Sequence, residues 1–140
     1  MSNSNALFNC STEWYNLVER IFKTRTFTRA MRKSGLTDEA LVTAVEEITK
    51  GLVEADLGGH LLKKRVAAQG RGKQGGIRTL VATRLENRWF FLFGFHKNER
   101  SNITSAELRA LQEVAKDLLA LTDEQLHKAT LSGELKEINK

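Results

Sequence analysis

The sequence has no proline, a single cysteine in 140 residues, and no apolar run of the roughly 18 residues that a membrane-spanning helix needs. Cys10 alone cannot close a disulfide within the chain or build a cysteine-based metal site, which fits a reducing compartment. The opening stretch MSNSNALFNCSTEWYNLVER has no basic segment leading into an apolar one, so a soluble, unexported, cytoplasmic protein is expected. No internal repeat is present. What remains is 41% hydrophobic and 28% charged, with seven Phe and two Trp, the balance of one globular domain with one core.

The stretch LLKKRVAAQGRGKQGGIRTLVA, Leu61 to Ala82, contains no acid. It holds six cations (Lys63, Lys64, Arg65, Arg71, Lys73 and Arg78) and four glycines between two apolar runs. From Leu57 to Arg100 there are ten Lys or Arg against two acids, a local excess of +8 in a chain whose net charge is +5. Such a field draws polyanions, of which nucleic acid is the commonest in the cytosol. An anionic membrane or an acidic protein satisfies the same field.

Residue patterning places this region in an α+β chain. RIFKTRTF, Arg20 to Phe27, is rich in β-branched and aromatic residues and predicts a first strand. Thr28 to Ser34 predicts one or two helical turns closed by Gly35. Thr37 is suited to cap a helix in which Leu41, Ala44, Val45, Ile48 and Leu52 repeat at helical spacing, with Gly58 and Gly59 as its stop. LLKKRVA, IRTLVATRL and RWFFLFGFHK then predict an antiparallel meander, the last two strands joined around Glu86 and Asn87. Thr104 with Glu107, and Thr122 with Gln125, are capping boxes that open two further helices, and Ile103 with Leu108 is placed for a hydrophobic staple. Residues 1–19 are expected to be a frayed, polar extension, residues 20–121 the folded domain, and residues 122–140 a C-terminal helix and tail.

The glycine segment Gly70-Arg71-Gly72-Lys73-Gln74-Gly75 matches GxGxxG, but a strand and not a helix follows it, and Gln74 stands where a Walker loop needs Ser or Thr. Nucleotide-cofactor binding is therefore not expected, and neither is a metal or any other cofactor. Strand alternation puts Lys63 and Arg65 on one face and Lys64 on the other, with Arg78 at the head of the next strand. If the helices cover one face only, Lys63, Arg65 and Arg78 share the open one. A solvated strand face with protective cations is the non-functional alternative.

Several segments, in order, carry a resemblance: Phe22-Lys23-Thr24 with Phe27, Ala55-Asp56-Leu57-Gly58-Gly59, KKRVAAQGRGKQGG from Lys63 to Gly76, Arg78, Gly94 to Arg100, and Asn102-Ile103. Over about Arg20 to Leu121 the chain resembles the RelE superfamily of toxins from type II toxin–antitoxin modules, in its HigB-like branch. The resemblance implies a small twisted antiparallel sheet with N-terminal helices packed on one face and a C-terminal helix. It also implies an mRNA interferase, an endoribonuclease that cleaves messenger RNA on the ribosome and inhibits translation. It acts without a metal, through attack of the ribose 2′-hydroxyl on the adjacent phosphate.

That reaction requires a base, a stabiliser for the phosphorane charge and an acid. The resemblance implies Lys63 as base, Arg78 as phosphorane stabiliser and Arg65 as a second phosphate contact. Lys97 is a candidate catalytic residue, standing in as acid because Thr104 occupies the place of the family's tyrosine; His96 is the other substitute. Lys64, Arg71, Lys73, Arg100 and His96 are expected contacts to ribosome or RNA. A cognate antitoxin, of helix-turn-helix type, is the implied partner besides the ribosome and mRNA, with no membrane partner. Two alternatives stay open: a ParE-like toxin acting on DNA gyrase, and a nucleic-acid-binding module without catalysis.

Overall fold

The computed structural model of the protein describes residues 19–68 and 72–138, with the side chains of residues 72–75 left out of that description. Six strands form one sheet: β1 (Arg20–Thr24), β2 (Ala55–Asp56), β3 (Leu61–Ala68), β4 (Gly72–Thr83), β5 (Arg88–His96) and β6 (Leu135–Ile138), in the order β2-β3-β4-β5-β1-β6. All neighbours are antiparallel except β1 and β5. Among the described residues four helices complete it: α1 (Arg25–Ala30), α2 (Asp38–Thr49), α3 (Ser105–Leu119) and α4 (Asp123–Ser132). This is the α+β architecture expected. The extension proposed for residues 1–19 lies outside the described residues up to residue 18.

Strand alternation builds a core on each face of the sheet. Leu41, Ala44, Val45 and Ile48 of α2 and Phe27 of α1 pack on Ile21, Leu62, Val66, Val81 and Phe91. On the reverse face, Ala115 and Leu119 of α3 and Leu126 of α4 pack on Phe22, Leu61, Leu80, Ala82 and Phe90. The near-continuous apolar run of β5 follows from this: the strand lies between β4 and β1 and is covered on both faces. Gly94 in that strand lets α1 approach closely, since a Cβ there would stand 2.8 Å from the Met31 sulfur.

Local expectations are met at several points. Thr37, Thr104 and Thr122 each cap a helix through the hydroxyl, and both capping boxes form. Gly35 takes a left-handed φ of 83° after the turn that follows α1.

Four elements differ from expectation. Strand β1 stops at Thr24, because the Thr24 hydroxyl caps α1 by accepting from the Phe27 amide. Helix α2 ends at Thr49 and not at Gly58: Lys50 is its C-cap, Gly51 turns the chain at φ 87°, and Leu52 is left exposed. Residues Ala55 and Asp56 then pair with Lys63 and Leu62. Strand β4 begins at Gly72, so most of the glycine segment belongs to the hairpin. Finally, the C-terminal tail contains β6, antiparallel to β1, and Arg20 pairs across the two strands with Glu137.

Candidate phosphate-binding face

Lys63 and Arg65 alternate on β3 with Lys64 between them, and register places Arg78 of β4 directly opposite Arg65. The two arginines and Lys63 share the face that carries Leu61, Leu80 and Ala82. One-sided helix packing would leave that face open, but α3 and α4 pack on its Leu61, Leu80 and Ala82. Like charges directly opposite in a sheet are destabilising. A neighbouring anion offsets that cost, and the protein supplies one that sequence reasoning did not find.

Glu54 lies at the bend before β2, its amide donating to the Lys63 carbonyl. One of its carboxylate oxygens is 2.8 Å from Arg78 Nε and the other 3.8 Å from Lys63 Nζ. The Arg78 side chain is only 5% exposed, yet its Nε–H is aligned with no acceptor, so the contact with Glu54 is ionic and not a directed hydrogen bond. Glu54 thus balances the charge of a guanidinium that is almost enclosed by the fold. Lys63 Nζ donates to Asn102 Oδ1 at 3.3 Å and lies 6.0 Å from the centre of the Phe95 ring.

Arg100 also reaches this face, 5.9 Å from the Phe93 ring and 5.8 Å from the Phe95 ring. Its charge is answered by Glu107, whose carboxyl falls to about 2, chiefly through the hydrogen bonds from Arg100 and then from the Thr104 amide. The Arg100 guanidinium is shifted upward by the same pair. So the capping box of α3 holds a cation over two aromatic rings.

The remaining expected contacts divide. Lys64 is a correction: it points to the other face, is buried, and pairs with Glu47 of α2 at 2.7 Å while donating to the Leu52 carbonyl, so its charge is spent inside the fold. Register pairs His96 with Ile77, one step from Phe95 and Arg78, which puts it on the opposite face from Arg78. Lys97 is exposed in the turn after β5. Arg71 lies outside the described residues, and for Lys73 only the backbone, in β4, is described. The Thr104 hydroxyl is taken up in accepting from the Glu107 amide.

Grooves of about 310 Å³ beside Arg29 and Arg32 and about 500 Å³ between Leu118 and Ala129 do not include Lys63, Arg65 or Arg78. The cationic face is a surface, suited to an extended ligand and not an enclosed small molecule. Among the described residues no helix is long and apolar enough to cross a membrane, and no group of three or more His, Cys, Asp or Glu side chains converges as metal ligands.

The family model for the RelE toxin of the RelE/RelB toxin–antitoxin system matches residues 19–138. The chain belongs to the RelE toxin family. A comparison with curated proteins finds no match. The matched residues include α4 and β6. Membership implies a toxin role and an antitoxin partner.

Sequence reasoning missed Glu54, Asn102 and the Phe93–Phe95 pair. Glu54 was hidden because residues after Lys50 read as a continuing helix; Gly51, directly after the C-cap, was the available signal.

Proposed function

We propose that this toxin is a HigB-like, ribosome-dependent mRNA endoribonuclease that works without a metal, using the cationic face to attack through the ribose 2′-hydroxyl. The observation that carries the reading is the pair of arginines: Arg65 and Arg78 stand directly opposite each other on adjacent strands, with Lys63 on the same face. A phosphate that gains charge on its way to a phosphorane is the ligand such a group serves best. Arg65 adds a second phosphate contact, and Lys63 brings a further positive charge to the same face. Phe93, partly exposed beside Arg100, supplies an aromatic side chain next to these cations. Arg71 and Lys73 grip RNA backbone. The cognate antitoxin, a helix-turn-helix protein, keeps the toxin inactive in the cytoplasm.

One observation favours the non-catalytic binding module: the Thr104 hydroxyl is engaged as a helix cap, so no tyrosine-like acid stands there. The test is single-turnover cleavage of a defined messenger on purified ribosomes, in the presence of a chelator sufficient for any transition metal. Wild type is expected to leave a 2′,3′-cyclic phosphate and a 5′-hydroxyl. Arg78→Lys keeps the charge but loses the planar fork, and is expected to cleave on the order of 10²-fold more slowly with ribosome binding little changed. Absence of cleavage by wild type overturns the reading.

A further inference from the structure

We propose that the groove between α1 and β6 is a second anion site, remote from Lys63, Arg65 and Arg78, and that it takes phosphate groups joined in a chain. The inference is independent of the cleavage reading. It starts from a stretch outside the basic region of Leu57 to Arg100: RIFKTRTFTRAMRK, Arg20 to Lys33, has six Lys or Arg and no acid. Strand β1, helix α1 and the turn after it bring this stretch around a concavity of about 310 Å³, which β6 helps to close. Lys23, Arg25, Arg29, Arg32 and Lys136 line it, against one carboxylate, Glu137.

Register shows that the fold does not balance these charges by itself. Lys23 of β1 stands directly opposite Lys136 of β6, and like charges so placed are destabilising. Ile21 and Ile138, two residues along their strands, are buried with the side chains of α1 and α2. Alternation therefore turns both lysines to that face, away from the face of Leu61, Leu80 and Ala82 that Lys63, Arg65 and Arg78 share. The acids at the groove are already engaged: Asp38 pairs with Lys23 at 2.7 Å and Glu137 with Arg20 at 2.9 Å. Arg29, Arg32 and Lys136 are exposed and have no ion pair among the described residues. Arg25 is held in place, its guanidinium donating to the Ser132 and Gly133 carbonyls at the end of α4.

The chemistry of the wall selects the anion. The planar fork of arginine matches the oxygens of a phosphate two at a time, and three of the five cations are arginines. Among the described residues the groove presents no exposed apolar side chain, since Leu135 is buried. A protein segment docks chiefly through apolar or aromatic anchors set into pockets, and this wall offers none. A ligand charged along its whole length needs no such anchor. Free oligophosphate and the backbone of a nucleic acid share that chemistry.

The experiment is a titration of the full chain at moderate salt, followed by amide chemical shifts, with tripolyphosphate, a short oligouridylate and hexaglutamate as probes. Arg29→Gln/Arg32→Gln removes two exposed charges that pair with nothing in the fold, and Arg65→Gln removes one from the other face. Lys136→Gln, on the edge strand, is an independent variant with the same expected direction. Tripolyphosphate is expected to shift the amides of residues 25–32 and 133–137, with a dissociation constant raised at least about 10-fold in Arg29→Gln/Arg32→Gln and unchanged in Arg65→Gln. If oligouridylate alone behaves in this way, the phosphates are those of a nucleic acid backbone; if tripolyphosphate alone does, they are free. Neither phosphate probe shifting these amides, or an affinity unchanged in the double variant, overturns the proposal. Hexaglutamate bound there more tightly than both phosphate probes overturns it too, in favour of an acidic protein segment.

Discussion

Glu107 accepts from the Thr104 amide and from two nitrogens of Arg100, so one carboxylate both opens a helix and holds a cation over the Phe93 and Phe95 rings. These bonds favour its charged form and lower its pKa from an ordinary 4.5 to about 2. Because the folded value lies below the unfolded one, the unfolded chain binds more protons in between. The stability from this group is complete above 4.5 and is lost as pH falls towards about 2. In Glu107→Gln that dependence disappears. Thermal midpoints measured across this interval are expected to fall less steeply in the variant than in wild type; superimposable curves, after allowing for a constant offset, refute the assignment.

The β2–β3 turn shows how an element sets the site. Gly58, Gly59 and His60 all take positive φ, and Gln112 of α3 donates to the Leu57 and Gly58 carbonyls, fastening the turn to the helix. This geometry brings β2 alongside β3 and Glu54 alongside Lys63. At Gly59 a Cβ would stand 3.1 Å from Gln112 Cγ with φ at 63°, while at Gly51 φ is 87° and nothing lies within 4 Å. Alanine at either position meets the left-handed backbone cost of roughly 1–2 kcal/mol, and only at Gly59 is the contact with Gln112 added. Denaturant midpoints should therefore rank wild type above Gly51→Ala and Gly51→Ala above Gly59→Ala. Equal losses at the two glycines would show that Gln112 moves aside without cost.

For the whole molecule, the controlling feature is that charge is segregated by the sheet. One face spends Lys64 on Glu47 and Lys23 on Asp38, while the other carries Lys63, Arg65 and Arg78, of which Lys63 and Arg78 pair with Glu54. Binding to RNA through such a face releases counterions, and each phosphate neutralised steepens the salt dependence by about 0.7–0.9 of a logarithmic unit. The affinity of wild type for ribosomes is expected to fall by at least an order of magnitude between low and moderate salt, and Lys73→Ala to reduce the slope by about one unit. Affinity that is unchanged with salt would exclude a polyanion as the ligand of this face.

Local signals in the chain were enough for what depends on neighbours in sequence. The caps at Thr37, Thr104 and Thr122 need only a hydroxyl three residues ahead of an amide, and the apolar period of α2 and the run in β5 follow from burial on one face or two. Alternation likewise separated Lys64 from Lys63 and Arg65. Tertiary structure decided what depends on partners distant in sequence. Leu52 fits the helical period of α2, yet β-pairing of Ala55 and Asp56 with β3 carries the chain away. The tail reads as polar until β1 offers it an edge, where Leu135 and Ile138 are buried and Glu137 meets Arg20. Glu54 and Arg78 are 24 positions apart in the sequence, and only the fold brings them to 2.8 Å. Local hydrogen bonds and hydrophobic period are properties of a segment, whereas the environment of a charge is set by whatever the fold places beside it.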